Sequence, residues 1–389
     1  MTHQAPPQIR LGIIGLGNMG SGHCRLLESI DNIQLAAVCD IDPLRLEKIT
    51  SRYGCPGYAS SGALLKARDC DAILVATPHY DHTTIGIAAL KAGYHLLVEK
   101  PISVHKADCE KLIAAHKDEQ QVFAAMFNQR TNRHYQHIKQ LIDTGELGEI
   151  RRINWTITDW FRSQSYYASG GWRATWAGEG GGVLLNQCPH QLDLLQWLFG
   201  MPVALRAHGS VGKYHAIEVE DDITCVLEYA NGATGVFITT TGEAPGINRL
   251  EIAAENGLLV YDAALGNISF VRNAKSVSDA LRDNGPFEKP STSLSLFDEP
   301  DQGRQHAEVL ENFADAILYK LPVLARAEEG IRSVELANAM IYSALNATRV
   351  TLPLNARRYQ NFLKRKIKAS TFNKSEVTSS DVADLSDTF

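Results

Sequence analysis

The sequence predicts an α/β protein in which a doubly wound parallel sheet is followed by an α+β domain with an antiparallel sheet. Three observations carry this expectation. Short apolar runs alternate with helically spaced segments over residues 9–127. A glycine-rich G-x-G-x-x-G stretch stands where the first run gives way to a helix. From about residue 203, strand-like runs succeed one another with no helix between them. The 389 residues exceed what one core ordinarily serves, so two domains are expected, 1–127 and 128–366, with 367–389 as a polar tail.

In the first domain the candidate strands are 9–14, 35–39, 72–77, 95–99 and 121–127. Strands separated by helices pair in parallel through right-handed crossovers, and runs this continuously apolar suit a sheet covered on both faces. After the glycines, Met19, His23, Leu26, Leu27 and Ile30 recur every three or four residues, as a helix requires. In the second domain, strands are expected at 151–161, 203–211, 222–229, 234–241 and 248–253, with Asn231-Gly232 a hairpin turn. Residues 274–305, rich in Ser, Asp, Pro and Gly, read as a long loop, and helices return at 306–319 and 327–347. The segment after about 366 is polar with little periodicity, a loose tail or an arm that docks on a partner subunit.

Composition excludes several classes. Apolar content of 44% and charged content of 21% are those of a soluble globular protein. A net charge of −6 argues against nucleic acid as partner. No run of eighteen apolar residues suits a membrane, and "MTHQAPPQIR" lacks a secretion signal. Seven scattered cysteines without C-x-x-C read as reduced thiols of a cytoplasmic protein. The pairs His79/His82 and His134/His137 lack the further ligands a metal needs, so no metal is expected. No G-x-S-x-G supports a serine hydrolase.

The loop "GIIGLGNMG" follows a strand and opens a helix, the context a dinucleotide fingerprint requires. Gly15 allows the turn, Gly17 lets backbone approach a pyrophosphate, and Gly20 permits close packing. The helix N-terminus, with Asn18 and Met19, supplies N–H donors to the phosphates. Asp40 ends the second strand twenty residues after Gly20. Its carboxylate can hold the ribose hydroxyls and would repel a 2′-phosphate, so NAD is favoured over NADP, with Arg45 nearby able to soften that choice. Asp42-Pro43 reads as a helix start.

Two residues are candidates for the chemistry. "VEKP" closes another strand of the same sheet, so Lys100 should reach the crevice at the strands' carboxyl ends. There an ammonium can hydrogen-bond an alcohol oxygen and stabilise a developing alkoxide. A surface lysine at a strand end is the other reading. In "GEGGGVLLNQCPHQLDLLQWLFG" (178–200), Pro189 suits the first helical position, Gly200 the C-cap, and Leu192, Leu195, Leu198 and Phe199 the buried stripe. His190 then lies in the first turn, where the helix dipole disfavours imidazolium, and a neutral imidazole can take a hydroxyl proton. Asp193, on the same face, could orient the ring or oppose that effect. Capping or packing for His190 and a solvated position for Asp193 are the alternatives.

The fingerprint, "ATPHYDH" (76–82), "EKP" (99–101), "GGGVLLNQCPHQLD" (180–193) and "EEGIRSVELANAMIYSALNATRVTLP" (328–353) together resemble the Gfo/Idh/MocA oxidoreductase family over about 9–355. The resemblance implies NAD(P)-dependent dehydrogenases and reductases of sugars, cyclitols and related polyols. It implies a Rossmann domain, then a domain with a large, open, mostly antiparallel sheet that mediates homodimers or homotetramers. It implies that Lys100 is catalytic, that Pro101 is cis, that His190 transfers the proton, and that Thr77, Pro78, His79, His82 and Glu99 line the cofactor groove. Many members carry aspartate where this chain has Asn186, which concentrates the base role on His190 and leaves Asn186 to bind a substrate hydroxyl. The stretch 172–198 is most similar to the branch containing levoglucosan dehydrogenase and other enzymes oxidising glycosides or anhydrosugars at C3.

Four of the five tryptophans, Trp155, Trp160, Trp172 and Trp176, lie near Phe161, Tyr166 and Tyr167. Aromatic faces pack on the C–H faces of sugar rings. Trp155 is expected in the core, whereas Tyr166, Tyr167 and Trp172 are pocket candidates. Arg173 is placed in the pocket, an exposed loop position being equally open. No cluster of Arg and Lys is evident there, which disfavours a phosphorylated or strongly acidic substrate. Asn128 and Arg130, at the domain junction, serve either cofactor and substrate or the interdomain contact. The expected activity is NAD-dependent oxidation of a secondary hydroxyl, C3 favoured, of a neutral sugar, glycoside or anhydrosugar such as levoglucosan. The rivals are a redox-assisted glycoside-cleaving enzyme with Asp193 or Tyr167 as a further acid/base, an inositol dehydrogenase, and a non-enzymatic nucleotide sensor.

Overall fold

The structure, a computed structural model, describes residues 7–372. The expected tail therefore lies largely outside the described residues. Six parallel strands form the first sheet: β1 (Ile9–Ile14), β2 (Ile33–Cys39), β3 (Gly57–Tyr58), β4 (Ala72–Val75), β5 (His95–Val98) and β6 (Phe123–Ala125). Their order is β3-β2-β1-β4-β5-β6. Every residue of β4 is fully buried, as a strand between two helical layers must be. Strand order reverses between β1 and β4, which opens a crevice at their carboxyl ends. The glycine loop after β1, Thr77 after β4 and Lys100 after β5 all fall there.

Nine strands form the second sheet: β7 (Ile150–Ile157), β8 (Ala204–Val211), β9 (Glu220–Glu228), β10 (Thr234–Thr240), β11 (Asn248–Ala254), β12 (Gly257–Asp262), β13 (Asn267–Asn273), β14 (Thr292–Asp298) and β15 (Val350–Thr351). Their order is β14-β13-β12-β11-β7-β10-β9-β8-β15, with β7 and β10 parallel and the other pairs antiparallel. In β7, Ile153, Trp155 and Ile157 face the core while Arg152, Asn154 and Thr156 face outward. The helices Pro189–Phe199 and Gly330–Asn346 bury the inner face. Trp155 is wholly buried, edge-on to Phe237 and beside Tyr135.

Three expectations change. The stretch 274–305, read as a loop, contains the helix Val277–Asp283 and the edge strand β14. Its Leu294 and Leu296 do alternate with serines, but they point outward, 61% and 65% exposed, so a polar composition hid a strand. The second domain is also not continuous from 128 to 366. The helix Gln305–Tyr319 returns to the first domain, where Val309, Leu310 and Phe313 pack with Ile9, Leu11 and Ile13. Ala125 donates its N–H to Ala325 O at 3.1 Å, extending that return. Finally, the last helix runs from Ala356 to Ala369, past the boundary set at 366. No helix among the described residues is long and apolar enough to cross a membrane.

Candidate active site

At the crevice, Gly15 has φ +94° and a Cβ there would meet Ala76 O at 2.7 Å, while a Cβ on Gly20 would meet Gly15 O at 1.7 Å. A Cβ on Gly17 would meet nothing within 4 Å. The open backbone at Gly17 sits at the start of the helix Asn18–Leu26, a geometry that fits a pyrophosphate. Asp40 is buried, and its carboxylate accepts from Leu16 N at 2.6 Å and Asp42 N at 2.8 Å, which leaves further lone pairs for ribose hydroxyls. Arg45 is drawn instead to Asp42, at 3.4 Å. Ile41 and Leu44, 89% and 75% exposed, give this end an apolar surface of the kind an adenine ring covers. Sequence reasoning passed over both; an apolar residue directly after Asp40 was the available signal. Thr77 Oγ1 is buried with no hydrogen-bond partner among the described residues, and Pro78 leads into the helix His79–Lys91.

His82 does not face the groove. Its ring is buried, with Nδ1 2.8 Å from Pro101 O and Nε2 2.7 Å from Thr77 O, so it ties two crevice loops together. Pro101 follows a cis peptide bond. Asn128 is wholly buried and donates to Gln305 Oε1 at 2.9 Å, bridging to the returning segment.

Lys100 projects from the end of β5 with Nζ 2.9 Å from Asn186 O. Burial pushes its ammonium below the usual lysine range, Glu99 pulls it back up, and Arg173 and Arg162 lower it further. Beneath it, Glu99 accepts from Lys100 N at 3.1 Å and meets His23 Nε2 at 2.6 Å. Burial alone would raise Glu99, but the His23 contact and charge carry it down to about 2. The His306 ring stands edge-on to His23, 5.5 Å between centroids. Neither His23 nor His306 was read as part of the site, because the returning helix that joins them is distant in sequence.

His190 is the second residue of the helix Pro189–Phe199 and is buried. Burial first, then the charges of Lys100 and His306, push it well below 6.5, so the ring is neutral near pH 7. The neutrality expected from the helix dipole thus has burial as its main cause. Asp193 is one turn on but turns away from the ring: Arg130 holds its carboxylate and Gln196 adds a bond at 3.0 Å.

The opposite wall comes from 162–187. The Tyr166 hydroxyl is 3.4 Å from Asn186 Oδ1, 2.8 Å from Arg173 Nη1 and 3.1 Å from Gln187 Nε2. Trp172 stands edge-on to His79, 5.0 Å between centroids, with the Arg173 guanidinium 4.6 Å from the Trp172 ring centre. Tyr166, Trp172, Arg173 and Asn186 are all partly exposed. Tyr167, expected in the pocket, lies in the core with its hydroxyl 2.7 Å from Thr241 Oγ1. The short helix Gln164–Ala168 turns adjacent residues to opposite sides, and linear reading of an aromatic pair cannot say which faces in. The expected lack of basic residues also changes: Arg162 and Arg173 both flank Tyr166, at 5.2 and 4.7 Å from the ring centre. The sequence set them eleven residues apart and so hid the pairing. Below the wall, Glu220 accepts from Gly182 N and Leu184 N, and burial raises its carboxyl to about 7 against those bonds. Among the described residues no group of His, Cys, Asp and Glu could hold a metal ion.

The profile described as "Oxidoreductase family, NAD-binding Rossmann fold" matches residues 9–127, and that described as "GFO/IDH/MocA C-terminal domain" matches 135–260. The chain belongs to the Gfo/Idh/MocA oxidoreductase family. This Gfo/Idh/MocA oxidoreductase has an NAD-binding Rossmann domain, and NAD is its cofactor. It is similar to the myo-inositol 2-dehydrogenase of Thermotoga maritima, 27% identical over 260 residues that cover 65% of this chain and 75% of the relative. The inositol 2-dehydrogenase of Rhizobium meliloti is 22% identical over 355 residues, 88% of this chain and 99% of the relative. Among solved structures, the WlbA dehydrogenase from Bordetella pertussis, in complex with NADH and UDP-GlcNAcA, has a TM-score of 0.75 and 25% identity, covering 90% of this chain and 100% of that one. Levoglucosan dehydrogenase, solved with NADH and levoglucosan, shares the fold at a TM-score of 0.75 and 20% identity, covering 89% and 100%.

Proposed function

We propose that this oxidoreductase oxidises a secondary hydroxyl, C3 favoured, of a neutral sugar, glycoside or anhydrosugar such as levoglucosan. The observation that carries this reading is the nearness of Lys100 and His190: residues from different domains lie close enough for the lysine's charge to add to burial in keeping the imidazole neutral. Bound NAD supplies the hydride acceptor. Lys100 Nζ spends one N–H on Asn186 O and keeps two to bind the carbinol oxygen and stabilise its developing charge. The His190 ring accepts the hydroxyl proton, and donates it in the reverse direction. Tyr166 and Trp172 offer aromatic surface for the sugar ring, with the Asn186 amide and the Tyr166 hydroxyl for its substituents. Gly15, Gly17, Asn18 and Met19 hold the pyrophosphate. The Asp40 carboxylate holds the adenosine ribose and favours NAD over NADP.

The glycoside-cleaving alternative needs a further acid/base near C2. Both residues suggested for it are engaged elsewhere, Asp193 by Arg130 and Tyr167 by Thr241. Inositols remain alternative substrates, as the names of the relatives suggest. A second reading, a sugar acid, is favoured by Arg162 and Arg173 beside Tyr166. The subunit is proposed to pair as a homodimer or homotetramer through the outer face of the nine-stranded sheet. One cross-strand row there runs Leu296, Ser269, Val260, Glu251, Asn154, Val236 and Val226, apolar at both ends and polar in the middle.

The test is a panel of neutral sugars, glycosides, levoglucosan, inositols and uronates with NAD and, in parallel, NADP, following NADH absorbance. Turnover of a neutral sugar with NAD, lost in Lys100→Met, supports the reading. Turnover confined to uronates selects the second one. Full turnover by Lys100→Met overturns the residue roles. Light scattering during size-exclusion reads the oligomer.

A further inference from the structure

We propose that Glu179 is a positioning residue of this site: through the Asn186 amide it orients the group that faces the substrate and braces the wall opposite Lys100. The inference rests on the reading of Lys100 and Asn186 as substrate-facing groups.

Glu179 is buried at 1% exposure in an otherwise glycine-rich and apolar run, a costly place for a carboxylate that has no work to do. Its two oxygens serve different partners. Oε1 accepts from the Asn186 side-chain amide, and Oε2 accepts from Ala174 N at 2.8 Å. Its own carbonyl lies 3.3 Å from His79 Nδ1. One residue thus joins the helix on the cofactor side, the substrate wall and the residue that binds Lys100.

The Asn186 contact fixes a polarity. An ionised carboxylate only accepts hydrogen bonds, so the NH2 of Asn186 must face Glu179 and its Oδ1 must face Tyr166. The same residue's backbone oxygen takes the Lys100 ammonium at 2.9 Å. Aspartate at 186 would set two carboxylates against each other, and one would have to take up a proton. Amide at 186 and acid at 179 are therefore a matched pair. The Ala174 contact fixes a shape. Ala174 has φ +62°, a left-handed conformation that a residue bearing Cβ seldom adopts, directly after Trp172 and Arg173. A buried acceptor on its N–H holds that bend and so the placement of both side chains.

Glu179→Gln removes the constraint. Its amide still accepts from Ala174 N through oxygen but presents NH2 to Asn186, which must then turn its own NH2 toward Tyr166. With the panel alcohol of highest kcat/KM as substrate, this variant should lose about tenfold or more in kcat/KM, the scale of one charge-assisted hydrogen bond, with NADH affinity unchanged. Asn186→Asp should lose activity near neutral pH and regain it as pH falls and the pair takes up a proton. Lys100, Arg173, His79, Tyr167 and the buried Glu220 carboxyl all act on this space and set the midpoint together. The exchanged pair Glu179→Gln with Asn186→Asp restores donor against acceptor and should exceed both single variants in kcat/KM. The same four proteins compared by urea unfolding read the coupling without any substrate. Glu179→Gln within about twofold of wild type, or an exchanged pair no better than the poorer single variant while NADH affinity is intact, overturns the proposal. If Glu179→Gln does not fold, the pH response of Asn186→Asp decides in the same way. Indifference to Glu179→Gln with loss in Lys100→Met removes this inference alone, whereas indifference to Lys100→Met removes the reading beneath it.

Discussion

Arg130 grips Asp193 side-on, with Nε 2.7 Å from Oδ2 and Nη2 2.7 Å from Oδ1, both side chains buried. The same guanidinium meets Glu329 at 2.7 Å and Leu324 O at 3.2 Å and lies over the Trp197 ring. It locks the His190 helix to the start of the second domain and to the returning segment. Arg130→Met strands a buried carboxylate, a loss of about 3–5 kcal/mol in such pairs. Denaturant unfolding should show a loss of that order, and kcat should fall because His190 rides on the loosened helix.

The glycine loop separates binding from folding. A Cβ at Gly17 meets no protein atom, and its φ of −63° suits alanine, so Gly17→Ala should fold with an unchanged melting temperature. If the pyrophosphate lies there as proposed, the Cβ takes its space, and NADH affinity should fall about 10- to 100-fold, the scale of charged hydrogen bonds lost. Gly20→Ala collides with Gly15 O at 1.7 Å and should lower the melting temperature itself. Calorimetry and fluorescence titration of NADH distinguish the two outcomes.

Acid should weaken the fold through its buried imidazoles. His79, His190 and His306 all titrate below 6.5 in the folded chain, His306 at about 3, chiefly because of burial. The unfolded chain therefore binds more protons below about pH 6.5, so stability is complete above that value and falls as pH drops. His306 alone contributes a loss of about 2 kcal/mol between pH 7.5 and 5. Glu99, held at about 2 against an ordinary 4.5, adds its share only below about pH 4.5. Urea unfolding across this range should show a shallower slope for His306→Gln than for wild type.

Neighbouring tyrosines should behave differently. Tyr166→Phe removes the hydroxyl shared by Arg173, Asn186 and Gln187 and should raise KM for the sugar with little change in stability. Tyr167→Phe breaks only the buried bond to Thr241 and should cost about 1 kcal/mol of stability with KM unchanged. Steady-state kinetics beside thermal melts of the two variants checks the contrast.

What the sequence made legible was local. The glycine loop, Asp40 and Lys100 each stand at the end of a strand, so periodicity and one motif placed them together at the crevice. His190 was legible from Pro189 and Gly200, which bracket its helix. What stayed hidden depended on distant pairing or on the direction of a side chain. Asp193 looked available until Arg130, sixty-three residues earlier, closed on it. His306 joined Glu99 and His23 through a helix that returns from the far end of the chain. The choice between Tyr166 and Tyr167 turned on a five-residue helix without a clear apolar stripe.

The return of the helix Gln305–Tyr319 has a consequence for the molecule as a mechanical object. Phe313 and Leu310 complete the covering of β1, so the first 127 residues cut away by themselves would bare an apolar flank to solvent. The second domain is spliced into the nucleotide-binding unit at three crossings, after β6, before the helix Gln305–Tyr319 and before the helix Gly330–Asn346, rather than hung from one hinge. Any opening and shutting of the cleft is thus a rocking about a triple tether, with little freedom to swing aside.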